Sequence, residues 1–356
     1  MRFLTRRSFI TRSSRLALAS PMGLLVPASP ASGQAGQTRS QEKEGSQRLP
    51  LAKLKEWEAL QYGTFICFGM STFLGEELPD GKAPVADYAP DKLDVDQWIA
   101  VARDAGMKYA MLTAKHVDGH CLWPSKHTDR TVANSGNTVD VVEKYVEACE
   151  KHGVFPGLYY CSWDNHHRFG SQTPSDEGGG GAAYTTSLYQ TFQTNQVREL
   201  LTQYGPIAET WIDIPGVLGR GYRTFHYHHI ASLQPETVIM MNSGITTGED
   251  YPVDYAWPSD LIAIERRLPP ESGHKKWRTI EGKEYYLPGE VCDPIGKDWF
   301  FVEGDTPRPD KELQEQFEAC RDRGTNLLLS VPPDKHGLIP KESIEALQRL
   351  RKNAGI

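Results

Sequence analysis

From residue 50 onward, short apolar runs alternate with stretches in which apolar positions recur every three or four residues. The runs at 62–69, 109–114, 155–161, 209–214, 236–242, 261–264, 285–292 and 325–331 carry β-branched and aromatic residues between polar or turn residues, the pattern of buried strands. In 94–105, Val95, Trp98, Ile99, Val101 and Ala102 mark one face of a helix that stops before Gly106. In 139–152, Val141, Val142, Tyr145, Val146 and Cys149 do the same before Gly153. Helical patterns also fit 186–204, 224–233, 310–323 and 341–353. Strand–helix alternation about eight times over, with no dinucleotide-binding glycine fingerprint, predicts an α/β fold, a (β/α)8 TIM-like barrel over residues 50–356. No β-rich module follows the last helical pattern, so no C-terminal β-sandwich is expected. The glycine-rich stretch 170–183 is expected to be a flexible loop beyond the third strand.

Residues 1–33 have a different character. Arg6-Arg7 followed by Ser8-Phe9-Ile10 leads into a short apolar stretch and then a zone of small residues from Ala28 to Gly33. That anatomy predicts a bacterial export signal of the twin-arginine type, which exports folded cargo to the periplasm or beyond. Pro21, Pro27 and Pro30 interrupt the apolar stretch, leaving it short of the ~20 residues of a membrane span. Polar residues 34–49 are expected to form a flexible lead.

Composition narrows the function classes. A formal charge of −7 disfavours nucleic acid and anionic membranes as partners. Eight Trp and 15 Tyr within 39% hydrophobic residues supply a large core. Six Cys in 356 residues are too sparse for a disulfide framework. Zinc-ribbon spacings are absent, and of His226, His228 and His229 only the first and last share a helix face, so no metal or organic cofactor is expected.

Barrel chemistry sits where strands run into the following loops. Those positions hold Cys67 and Phe68, Lys115 and His116, Tyr159 to Asp164, Trp211 and Asp213, Asn242, Glu265, Glu290, and Pro332 to Asp334. Aromatics interleaved with carboxylates suit a sugar, whose C–H faces stack on rings while its hydroxyls take polar partners. Two carboxyl groups are also what glycoside hydrolysis requires, one as nucleophile and one as acid/base.

Longer stretches carry a resemblance. Residues 113–126, Thr-Ala-Lys-His-Val-Asp-Gly-His-Cys-Leu-Trp-Pro-Ser-Lys, resemble the Thr-Ala-Lys-His-His-Asp-Gly-Phe-Cys-Leu-Trp-Pro-Ser-Lys signature of the family 29 glycoside hydrolases, the α-L-fucosidases. The similarity continues through Gly157 to Asp164, Leu200 to Pro206, Trp211 to Asp213, Leu287 to Glu290, Trp299 to Phe301 and Asn326 to Asp334. It spans roughly 55–345 and resembles most the branch acting on α-1,3/1,4-linked fucosides. The resemblance implies a retaining glycosidase acting on fucosylated or related oligosaccharides. Asp213, two residues after Trp211, matches the family's nucleophile. The acid/base matches less sharply: Glu265 is the first choice, with Glu290 and Glu249 as alternatives. His116 and Tyr159 match sugar-contacting residues, Trp163 and Trp211 are expected to wall the pocket, and Cys67 and Glu290 complete the substrate-binding set.

Two departures accompany the matches. Cys67-Phe68-Gly69 stands where the family has His-Trp-Gly or His-Phe-Gly, and Val117 stands where the signature has its second His. Both replace imidazoles that hold sugar hydroxyls, so the resemblance also admits a carbohydrate-binding or catalytically weakened barrel, or a related sugar.

Overall fold

The computed structural model describes residues 44–168 and 181–356. The export signal, the lead up to residue 43 and residues 170–180 of the glycine-rich loop lie outside the described residues. The strands are β1 (Tyr62–Ile66), β2 (Tyr109–Lys115), β3 (Phe155–Cys161), β4 (Glu209–Asp213), β5 (Val238–Met241), β6 (Ile262–Glu265), β7 (Trp277–Ile280), β8 (Lys283–Tyr286), β9 (Gly289–Pro294) and β10 (Thr325–Ser330). The helices are α1 (Leu51–Glu58), α2 (Met70–Leu74), α3 (Val95–Asp104), α4 (Val141–His152), α5 (Gly181–Tyr184), α6 (Ser187–Gln203), α7 (Arg220–Leu233), α8 (Val253–Ala256), α9 (Asp310–Asp322) and α10 (Lys341–Ala354).

Eight strands form one parallel sheet in the order β5-β4-β3-β2-β1-β10-β9-β6. Its two ends meet, so the sheet curls into a nearly closed (β/α)8 barrel. At the seam one backbone bond, from the Asp260 amide to the Ile239 carbonyl at 2.8 Å, is joined by side chains: Asp260 accepts from the Ile239 amide at 2.9 Å, and Ser243 Oγ donates to the Ala263 carbonyl at 3.0 Å. Alternation along each strand sorts the apolar residues into two sets. Phe65, Met111, Tyr159, Trp211, Met240, Ala263, Cys292 and Leu328 fill the barrel, while Ile66, Leu112, Leu158, Ile212 and Leu327 pack under the helices. Helix starts follow the sequence: Asp94 and Asp140 cap α3 and α4 by accepting from the amides three residues on, at 3.0 Å each. Gly153 closes α4 at φ 70°.

Three features depart from the expected pattern. The run 285–292 is not one strand. Leu287-Pro288 breaks it, and its first half pairs with β7 in an antiparallel hairpin standing where a helix would return to β9. Second, α1 was not foreseen, although Leu51, Leu54 and Trp57 lie on one buried face. It closes the N-terminal end of the barrel, where Trp57 Nε1 donates to Glu209 at 2.9 Å and Asn326 donates to the Trp57 carbonyl at 3.1 Å. Third, the folded unit begins at Gly45 rather than near residue 50. Arg48 is bound by Asp260 at 2.5 Å and by the carbonyls of Pro235 and Thr237 at 2.6 Å each, so the end of the expected flexible lead is part of the fold.

Candidate active site

A cavity opens at the C-terminal ends of the strands, lined by residues from β1 to β6 and β9 and from the loops that follow them. Glu209, Trp211 and Asp213 alternate with outward residues along β4, so all three face the barrel interior in successive layers; the upper two, Trp211 and Asp213, line the cavity, and Glu209 lies below it. There the Tyr159 hydroxyl donates to Asp213 Oδ2 at 2.6 Å, and Asn242 Nδ2 donates to Asp213 Oδ1 at 2.6 Å. The same Asn242 nitrogen donates to Glu265 Oε2 at 3.0 Å. The two carboxylate oxygens therefore lie no farther apart than those two bonds laid end to end. That is short of the ~6.5–9.5 Å that leaves room for a water between paired carboxyls.

Backbone geometry marks the same two residues. Ile214 directly follows Asp213 at φ 48°, and Arg266 directly follows Glu265 at φ 51°, both in the left-handed region that costs a non-glycine residue about 1–3 kcal/mol. Of the four described non-glycine residues with positive φ, these two sit at the cavity. The sharp turns let each carboxyl end its strand pointing inward while the chain leaves at once.

The environments of the two carboxyls differ. Burial raises the Asp213 carboxyl above its ordinary value, but the hydrogen bonds from Tyr159, Asn242 and the Ile214 amide oppose that rise by favouring the charged form. Glu265 has one such bond, and burial followed by repulsion from Asp213 pushes it up to about 7. Arg266 does not reverse this. Its guanidinium lies over the Trp299 ring at 4.9 Å and donates to the Lys297 carbonyl. Asp213 thus has more hydrogen bonds favouring its charged form, and Glu265 is the better placed of the two to hold a proton, the contrast that a nucleophile and a general acid require.

The remaining lining suits a ligand with hydroxyls and apolar faces. His116 is half-buried between Phe300, 4.8 Å away, and Tyr159, 5.9 Å away; desolvation pushes its imidazole down to about 3, which favours the neutral form. Its Nδ1 and the Nε1 of Trp211 are buried without a protein partner, which is costly unless a ligand or water supplies one. Cys67 lines the cavity with its thiol held protonated by burial. Phe65, Cys292, Trp299 and Phe300 supply apolar wall, and Glu77 adds a third carboxyl at the rim.

Six of the expected residues therefore converge: Asp213, Glu265, Cys67, His116, Tyr159 and Trp211. Glu290 does not. It is the second residue of β9, so it lies at the entry of a parallel strand, at the end of the barrel opposite the cavity. There it is fully buried, accepts from Tyr109 at 2.5 Å and neighbours Glu209, which excludes it from substrate contact and from acid/base duty. Glu249, the other alternative, is exposed in the loop after β5 and outside the lining. Trp163 packs against Tyr184 at 6.0 Å and donates to Asn165, beside the cavity rather than in it. Val117 is buried without lining the cavity, so of the two departures from the family signature only Cys67 borders the ligand space. Glu77 escaped sequence reasoning because its loop, Gly75-Glu-Glu-Leu-Pro, has no periodicity to orient it. Asn242 was legible as a strand-end residue, but nothing in sequence says that it bridges two carboxyls. His226, set aside as a metal ligand, is buried against Tyr222 in α7, and no group of three or more potential ligands for a metal ion occurs among the described residues.

Comparison with known proteins agrees with this architecture. The sequence model of the Alpha-L-fucosidase family matches residues 61–352. "Alpha-L-fucosidase 1" of Arabidopsis thaliana is 30% identical over 84% of the chain and 59% of its own length, so the chain spans about three-fifths of that relative. A putative alpha-L-fucosidase from Bacteroides thetaiotaomicron superposes with a TM-score of 0.71 at 29% identity, over 87% of this chain and 69% of that one. Alpha-L-fucosidase isoenzyme 1 from Paenibacillus thiaminolyticus gives 0.71 at 26% identity, over 85% and 76%. With the family match covering the whole barrel and the cavity built where that fold places its chemistry, the chain belongs to the alpha-L-fucosidase family.

Proposed function

We propose that the protein hydrolyses α-L-fucosides in oligosaccharides with retention of configuration, Asp213 acting as nucleophile and Glu265 as acid/base. The observation that carries this reading is the hydrogen-bonded series Tyr159–Asp213–Asn242–Glu265 across the cavity, which pairs a carboxylate with a carboxylic acid. In the first step an Asp213 oxygen forms a bond to the anomeric carbon as the glycosidic C–O bond breaks, and Glu265 gives its proton to the departing oxygen. In the second, the Glu265 carboxylate takes a proton from water, whose oxygen replaces Asp213 at that carbon and frees sugar and enzyme. His116 and Trp211, each with an unpartnered nitrogen, bind ring hydroxyls.

The test is an assay of the full chain on aryl glycosides and fucosylated oligosaccharides, with the first-formed anomer read by NMR. Fucose released as the α anomer is expected, and Asp213→Gly is expected to abolish release. Azide should restore turnover in that variant and yield the β-glycosyl azide. A β anomer formed first refutes retention, and release of another sugar refutes fucose. The amino-terminal pattern around Arg6 and Arg7 supports export of the folded protein. Replacing both arginines by lysine should leave it in the cytoplasm.

A further inference from the structure

Beside the cavity, a single aromatic side chain is held out at the rim by a buried cation. Tyr255 sits on the short helix α8, in the loop between β5 and β6, and is 38% exposed. Its ring lies against Gly216 in the turn that follows Asp213, so closely that a β-carbon at Gly216 would fall inside the ring. Gly216 has no unusual φ, so close approach alone explains why glycine stands there.

Arg223, 1% exposed on α7, makes this arrangement rigid. Its guanidinium donates to the carbonyls of Asp254 at 2.6 Å and Trp257 at 2.8 Å, on either side of Tyr255. It also donates to the carbonyls of Leu218 at 3.0 Å and Pro215 at 3.5 Å, on either side of Gly216. One buried side chain thus staples the loop bearing the aromatic ring to the loop leaving the nucleophile. Burial and then the charge of Asp213 raise the Tyr255 phenol above its ordinary value, with Glu265 contributing. Two further apolar side chains near lining residues in sequence are exposed. Leu78, next to Glu77, and Ile245, three residues after Asn242, are 62% and 63% exposed.

We propose that Tyr255 is the platform of the leaving-group subsite, stacking on the C–H face of the pyranose from which the scissile sugar departs. This rests on the hydrolase reading above. A half-exposed aromatic whose other side is fixed against backbone offers a preordered flat surface at little entropic cost, which suits a sugar ring better than a flexible aliphatic contact would. Arg223 is its positioning residue.

The experiment compares kcat/KM on a fucosylated trisaccharide with kcat/KM on α-L-fucosyl fluoride, whose leaving group is a single atom, using the full chain. In Tyr255→Ala the ratio of trisaccharide to fluoride should fall about tenfold, ~1.4 kcal/mol. Tyr255→Phe should keep the parent ratio, because stacking needs the ring and not the hydroxyl. Gly216→Ala, which displaces the ring, should lower the ratio as Tyr255→Ala does. An unchanged ratio in Tyr255→Ala, or a fall equalled by Tyr255→Phe, overturns the proposal. Should the parent hydrolyse neither substrate, the hydrolase reading fails, and the platform is then read by calorimetry. Affinity for the trisaccharide relative to free L-fucose should still drop about tenfold in Tyr255→Ala, and an equal drop for both ligands, or none, overturns it.

Discussion

Tyr159→Phe removes one hydroxyl from the site and leaves its packing intact, since the ring contacts with Phe65 at 5.6 Å and His116 at 5.9 Å need no oxygen. The lost interaction is the 2.6 Å bond to Asp213 Oδ2, a hydrogen bond to a buried charge of the kind worth ~1.5–3 kcal/mol. That bond favours the ionised carboxylate, so its removal moves the Asp213 pKa upward, in the direction burial already pushes it. In the proposed mechanism Asp213 is the nucleophile and must be ionised. Activity is therefore lost as pH falls through its pKa, and the acid limb of kcat/KM should shift to higher pH in the variant. On that limb the loss should be roughly tenfold to hundredfold, matching ~1.5–3 kcal/mol, and smaller on the plateau where Asp213 stays ionised. The basic limb, set by Glu265 near 7, should hardly move, so the bell narrows from its acid side. The assay is a pH series of kcat/KM with an aryl fucoside, with thermal melting as a check on folding. A loss that is uniform across pH refutes the reasoning, because it would mean that Tyr159 acts on the sugar and not on the charge of Asp213.

Glu265→Gln should abolish the basic limb near pH 7 and cost ~10²–10⁴ in kcat/KM on oligosaccharides, while sparing kcat/KM on fucosyl fluoride, whose first step needs no proton; an equal loss of kcat/KM on both substrates counts against the acid role. The negative charge of Glu77 adds to the rise at Glu265, so Glu77→Gln should move the basic limb to lower pH in the same pH series. At the other end of the barrel, burial and the neighbouring Glu209 hold Glu290 well above the ordinary carboxyl value, and Glu209 itself is pushed up to about 7. Groups raised in the folded state give stability that is complete below their unfolded pKa and lost as pH rises through the folded one. Tm should therefore decline between about pH 5 and 7, and Glu290→Gln should flatten that decline, as read by calorimetry.

The strands of the barrel were legible because a sheet covered by helices buries both faces, leaving continuous apolar runs that polar residues interrupt. Leu287-Pro288 shows the limit of that signal. Apolar character continues through a break in the backbone, and only the missing proline amide hints that two strands meet there. Glu290 was misplaced for a related reason. A parallel strand carries its chemistry at its exit, so an error in where β9 begins turns an entrance residue into an exit one. The position of Asp213 at the cavity was legible because strand end, Trp211 spacing and family signature coincided. Glu265 followed from an apolar strand ending in a carboxylate, but its partnership with Asp213 depends on Asn242 reaching across from β5, a contact between elements that no local pattern encodes.

The stopper formed by α1 has a consequence for what the cavity can accept. Below Asp213 the barrel is filled by Trp211, Met111 and Tyr109, and beneath them Trp57 and the Glu209–Glu290 pair close the far end. Among the described residues the cavity is therefore a cul-de-sac, closed at its lower end. A ligand enters such a space end-first, and in the proposed reaction the fragment cut from it would back out by the way it came, past whatever still occupies the rim. In the reaction proposed above, such a shape would take chains from their tips, one unit per visit, and would not suit sliding along a polymer or cutting within it. It also fixes the order of departure: the piece at the mouth leaves first, and the sugar at the bottom leaves last.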